Sequence, residues 1–127
     1  MYQQILYEQL GQGQRLRLHR QVGEWKEAHY GARAAESASE LARHFTEGRD
    51  YHKAVQYHHQ AGLQALRRYA YHEASDHCQK GLALLERLPD TAERQRQELA
   101  LRMSLATALT VTQGFMAEEL LQNLLLD

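Results

Sequence analysis

Two stretches decide how this sequence folds: Tyr51-His52-Lys53-Ala54, which continues to Gln60-Ala61-Gly62-Leu63, and Tyr71-His72-Glu73-Ala74, which continues to Gln79-Lys80-Gly81-Leu82. Tyr71 stands 20 residues after Tyr51, so the second stretch is a near copy of the first. In each, Tyr opens a helix against its predecessor and Ala lets two backbones approach at a crossing. The Gly beyond allows a second close approach. Such a pattern predicts α-hairpins stacked side by side.

Working outward, breaks at Gly11 to Gly13, near Gly31, at Gly48 to Asp50, near Tyr69 and Ala70, at Leu88 to Thr91, and at Gln113 to Gly114 predict about seven helices. Their expected spans are Tyr2 to Leu10, Gln14 to Tyr30, Arg33 to Glu47, Tyr51 to Arg68, Tyr71 to Leu88, Ala92 to Thr112, and Met116 to Leu125. Asp50 and Thr91 suit helix entry, since each side-chain oxygen can accept from an exposed amide. Pro89, the single proline, closes the helix before it. In the second span Leu16, Leu18, Val22 and Trp25 alternate with charge at helical spacing, which predicts a buried stripe. Helices joined by turns this short lie antiparallel. The expected fold is an all-α, antiparallel helix-hairpin solenoid.

Composition narrows the function. Across 127 residues, 15 Lys+Arg face 16 Asp+Glu, a formal charge of −1 that gives no bulk reason to bind nucleic acid or an anionic membrane. Partners are therefore expected to be protein or peptide. A lone cysteine, Cys78, excludes an intrachain disulfide and a cysteine-rich zinc framework, which fits a reducing, cytoplasmic setting. The MYQQILYEQL start lacks the pattern of a signal peptide, and no apolar run is long enough to span a bilayer.

Ala38, Leu41, Ala42, Phe45, Ala54, His58 and Ala61 resemble the spacing of a tetratricopeptide repeat, with Gly48-Arg49-Asp50-Tyr51 in the place of its inter-helix turn. Ala38 stands where the repeat has a large aromatic residue, and His58 where it has an apolar one. Tyr51, Tyr71, Ala74 and Gly81 complete the expected packing set. A later echo, Leu105-Ala106-Thr107-Ala108-Leu109 followed by Gly114-Phe115, resembles another first helix and its turn.

LYEQL, RLRLHRQVGEW, ELARHFTEGRDYHKAVQYHHQAGLQALRR and GLALLERLPDTAERQRQELALR, taken together, resemble a region of the STAND-type predicted ATPases of bacterial signalling. These are often fused to class III adenylate or guanylate cyclases or to transcription-factor domains. The resemblance implies that residues 1–32 correspond to the tail of a winged-helix region, and that 33–127 begin a tetratricopeptide array, truncated at its C-terminus. It also implies a regulatory, non-catalytic role. The sequence has no Gly-x-x-x-x-Gly-Lys-Ser/Thr phosphate loop, so the ATPase activity does not carry over.

Histidines invite a metal hypothesis, above all His58, His59, His72, His77 and Cys78. Adjacent helical residues diverge by ~100°, so His58 with His59, or His77 with Cys78, cannot easily share an ion. His52 and His59 share a face, and a cross-helix site with His72 is conceivable. Cys78 beside His77 also has the residue types of a nucleophile and base, but the plain alternative is a buried thiol facing a partner helix. Gly11-Gln12-Gly13 reads as a turn and not as a phosphate cradle. Arg15, Arg17, Arg20 and Lys26 with Trp25 form the most basic stretch, which Glu24 and Glu27 turn into a solvated amphipathic face.

Glu36, Ser39, Glu40, Arg43, Thr46 and Glu47 are expected to line a concave partner groove. Met116, Leu120, Leu121, Leu124 and Leu125 form an apolar row with no successor helix to cover it, from which self-association is expected. No cofactor is expected and no site residue is assigned to catalysis. The function expected is a protein-interaction scaffold from a larger signalling ATPase. The alternatives are a free-standing peptide adaptor and, from another class, a His/Cys metal-dependent enzyme.

Overall fold

In the computed structural model, which describes residues 11–126, the chain is all-α. The elements are α1 (Gln12–Tyr30), a 3₁₀ segment (Gly31–Ser37), α2 (Ala38–Glu47), α3 (Tyr51–Arg67), α4 (Tyr71–Leu85) and α5 (Ala92–Leu126). Each helix packs chiefly on its neighbour in the chain. None is long and apolar enough to cross a membrane.

The turns explain why the sequence repeats. After α2, Arg49 enters the left-handed region at φ 58° and the Asp50 amide donates to the Phe45 carbonyl at 2.9 Å. After α3, Tyr69 does the same at φ 62°, and the Ala70 amide donates to the Ala65 carbonyl at 2.8 Å. Both are Schellman closures in which a side-chain-bearing residue occupies a position that favours glycine. The next helix starts at once, because Asp50 Oδ1 accepts from the Lys53 amide at 3.3 Å. Thr91 Oγ1 likewise accepts from the Arg94 amide at 3.2 Å and starts α5.

Four expectations need correction or limits. Arg33 to Glu47 is not one α-helix: Gly31, at φ 53°, ends α1, and the chain winds tightly to Ser37 before α2 begins at Ala38. No break falls at Gln113 to Gly114. α5 runs unbroken for 35 residues, because one glycine costs a helix only about 1 kcal/mol and Gln113, Met116 and Ala117 near it are good helix formers. The expected sixth and seventh helices are therefore one, and the described residues hold five α-helices. The expected helix Tyr2 to Leu10 lies outside the described residues. α4 stops at Leu85, where the amides of Arg87 and Leu88 bond to Leu84 and Leu85 and tighten the chain ahead of Pro89.

Small residues set the distances between helices. Ala38, Leu41, Ala42 and Phe45 of α2 form one buried cluster with Ala54, Tyr57 and Ala61 of α3. Val55, Cys78, Leu85 and Leu101 form a second across α3, α4 and α5, and Ala65, Ala74 and Ala108 a third at the far end. A Cβ on Gly62 would sit 3.2 Å from Cys78 Sγ, and one on Gly81 would sit 3.2 and 3.3 Å from the Leu101 methyls. Only glycine lets α3, α4 and α5 nest this closely without moving a neighbour.

α1 docks differently. Of its residues only Gly23 is buried, against the Phe45 ring, while Leu18 and Trp25 of the expected stripe are 37% and 62% exposed. Polar bonds hold it instead. Arg20 donates through Nε and Nη2 to the Gly48 carbonyl at 3.1 and 2.9 Å, and Lys26 bonds Glu40. Glu27 accepts from Lys53 Nζ at 2.8 Å and from the Tyr57 hydroxyl. Burial pushes the Glu27 carboxyl up, but those two donors outweigh it and hold the group below the usual carboxylate range.

Candidate functional site

The residues that sequence spacing marks for packing lie at the helix crossings. Ala38, Leu41, Ala42, Phe45, Ala54, Ala61, Ala74 and Gly81 are buried, as is His58. Tyr51 and Tyr71 are half-buried: the Arg87 guanidinium lies 5.3 Å from the Tyr51 ring, and Tyr71 packs on the cluster around Ala65.

The six groove residues do not share one surface. Glu36, on the 3₁₀ segment, joins Ser39 and Glu40 in an open hollow completed by Gln64, Arg67 and Arg68 from the end of α3 and Glu73 from the start of α4. Glu40 also bonds Lys26, whose ammonium holds its carboxyl below the usual range. Thr46 turns back on its own helix, donating to the Ala42 carbonyl at 2.6 Å, and Glu47 lies 3.2 Å from His19 Nε2. Arg43 is exposed and lines no part of the hollow.

This hollow is the best candidate for recognition. Four successive elements contribute to it, and the Arg68 guanidinium is already ordered by two 3.1 Å bonds to Glu73. It offers both charge signs and the hydroxyl or amide groups of Ser37, Ser39 and Gln64. Sequence spacing found the 3₁₀ and α2 side but missed Gln64, Arg67 and Arg68. Their placement depends on how α3 packs back along α2, which no local run of residues signals.

The histidines are arranged for packing. His58 and His77 face each other across α3 and α4, Nδ1 to Nδ1 at 3.1 Å, and both are buried. Burial pushes His58 down to about 4 and His77 down as well. The separation suits a hydrogen bond between two neutral imidazoles, one donating and one accepting. A second pair, His19 and His44, meets at 3.3 Å between α1 and α2. Burial, with Lys26 and Arg43 nearby, lowers His44 too.

Among the described residues, no three His, Cys, Asp or Glu side chains converge on a point that could hold a metal ion. Cys78 is fully buried, and burial pushes its thiol up, away from the thiolate a nucleophile needs. His52 instead faces Glu93 at 3.8 Å, while His72 is exposed beside the α3–α4 turn.

Comparison with protein-family models, with curated proteins and with solved structures gives no match.

Proposed function

We propose that this chain is a tetratricopeptide-like, non-catalytic regulatory segment of a larger cytoplasmic signalling ATPase of the STAND type, acting by protein contact. The observation that carries the reading is the hollow formed by Glu36, Ser39 and Glu40 with Gln64, Arg67 and Arg68, set on helices whose crossings are made of Ala and Gly. Such a framework holds a polar surface rigidly in the shape a partner would meet. The buried histidine pair and the protonated, enclosed Cys78 support packing roles over acid–base or nucleophilic ones.

The partner expected in the hollow is a peptide segment carrying both charge signs, its carboxylate toward Arg67 and its cation toward Glu36. Selection of unstructured peptides from a display library, followed by NMR titration, tests this. Binders that shift the Ser39, Gln64 and Arg67 amides, and that weaken at least ~5-fold with Arg67→Glu, support the reading. Failure to select any peptide tighter than about 1 mM sinks it. Elemental analysis addresses the enzyme alternative, because stoichiometric zinc or iron in the purified protein would displace the scaffold reading.

A further inference from the structure

The outer face of α5 is built as a self-complementary stripe. Leu101, Ser104 and Ala108 are buried and face the rest of the stack. About 160° around the helix, at ~100° per residue, lies a row at steps of three or four residues that no other described residue covers. Leu99 and Met103, 61% and 63% exposed, begin it, and Leu121 and Leu124, 56% and 67% exposed, end it. Between these large pairs stand Ala106, Thr110, Gly114 and Ala117, all exposed. Gly114 and Ala117, with Val111, Glu118 and Leu121, line an open, largely apolar hollow on the helix surface. The row contains no charged residue, and from Met103 to Leu126 the only charges are Glu118 and Glu119.

Its order is large, large, small, small, small, small, large, large, which reads alike in both directions. Turned about a two-fold axis near residues 111 and 112, Leu99 meets Leu124 of a second copy and Met103 meets its Leu121. Ala106 then meets Ala117, and Thr110 meets Gly114, in both directions at once. Small residues at the centre let the two axes cross closely, and the large ones fill the space where inclined helices diverge. Such an isologous contact is what a two-fold dimer requires. Counting about 100 Å² for each large side chain and ~50 Å² for each small one gives about 600 Å² per copy, or about 1,200 Å² in all, the lower end of specific interfaces.

We propose that the outer face of α5 is the dimer interface of this chain, an antiparallel crossing of two α5 helices centred on Thr110 and Gly114. Met116 and Leu120 lie to one side of this crossing and Leu125 to the other, all exposed and none at its centre.

Sedimentation equilibrium of the full chain, with circular dichroism melts to show that each variant is folded, tests the proposal. The expected result is a monomer–dimer equilibrium half complete at tens of micromolar. All substituted positions are exposed in the monomer, so the fold tolerates the changes. Ala117→Arg, Met103→Glu and Leu121→Lys should each weaken association at least tenfold. Met103→Glu combined with Leu121→Lys should restore it to within about threefold, because the introduced carboxylate at 103 then faces the introduced ammonium at 121 of the other copy. A monomer up to about 300 µM, single variants that associate unchanged, or a double variant that stays monomeric would each overturn the proposal.

Discussion

Gly48→Ala is the sharpest probe of how α1 is held. Gly48 has an ordinary helical φ of −80°, so it is not glycine for the sake of backbone freedom. A Cβ placed there would lie 2.8 Å from the backbone nitrogen of Arg20 and 2.9 Å from its Cα. Those atoms belong to α1 itself, so no side chain can swing aside and the whole helix must retreat. Overpacking against rigid backbone costs about 1–3 kcal/mol. Retreat also lengthens the two bonds from Arg20 to the Gly48 carbonyl, now 3.1 and 2.9 Å, and hydrogen bonds to a charged donor contribute about 1.5–3 kcal/mol when fully formed. Arg20 is exposed, so the lower part of that range applies. Against this, Ala in place of Gly at a compatible φ stabilises by about 0.4–1 kcal/mol through the unfolded chain. The expected net loss is about 2 kcal/mol, roughly 6–10 °C in Tm for a chain of this size. Gly13→Ala is the control, since nothing lies within 4 Å of its Cβ and it sits in the first turn of α1. It should leave Tm unchanged or raise it. Urea denaturation and hydrogen exchange of the α1 amides make the comparison, with faster exchange in α1 for the Gly48 variant. If Gly48→Ala is as stable as Gly13→Ala, the close approach of Arg20 to Gly48 is wrong.

Three further outcomes follow from the packing. His58 is held near 4 when folded against an ordinary value of 6.5, so the unfolded chain takes up its proton first. Stability is then full above pH 6.5 and falls as pH drops toward 4, by on the order of 3 kcal/mol from this group. His58→Gln should flatten the slope of Tm against pH in that window, and an unchanged slope would rule the group out. Leu101→Ala should cost about 2–5 kcal/mol, because Leu101 is wholly buried against Gly81 in the cluster with Val55, Cys78 and Leu85; a loss under 1 kcal/mol in urea would contradict this. Cys78 should resist a thiol reagent in the native state and react in urea; fast native labelling would mean α3 and α4 do not enclose it.

The helices were legible because their signals are local. Asp50, Thr91, Pro89 and the paired Tyr51 and Tyr71 punctuate the chain within a few residues of the observed boundaries. Ala and Gly at the crossings carried the packing for the same reason, since a missing side chain has the same meaning wherever the partner comes from. What escaped the sequence was set by partners distant in the chain. Whether Gly114 breaks a helix depends on its neighbours' propensities, and whether Gly48 or Gly23 is structural depends on Arg20 and Phe45 arriving opposite them. The α1 stripe misled because Leu18 and Trp25 have helical spacing but the docking contacts are polar. For the hollow, only the α2 side had a recognisable pattern, while Gln64 and Arg67 reach it because α3 packs back along α2.

Glycine-mediated contact between consecutive helices underlies the fold, and methyl-resolved NMR observes those contacts directly. Cross-relaxation is predicted between the Gly81 Hα protons and both Leu101 methyls, between Gly62 Hα and Cys78 Hβ, and between Gly23 Hα and the Phe45 ring. A folded, helical protein lacking all three sets of contacts would contradict the nesting from which the hollow, the buried histidine pair and the exposed face of α5 are derived.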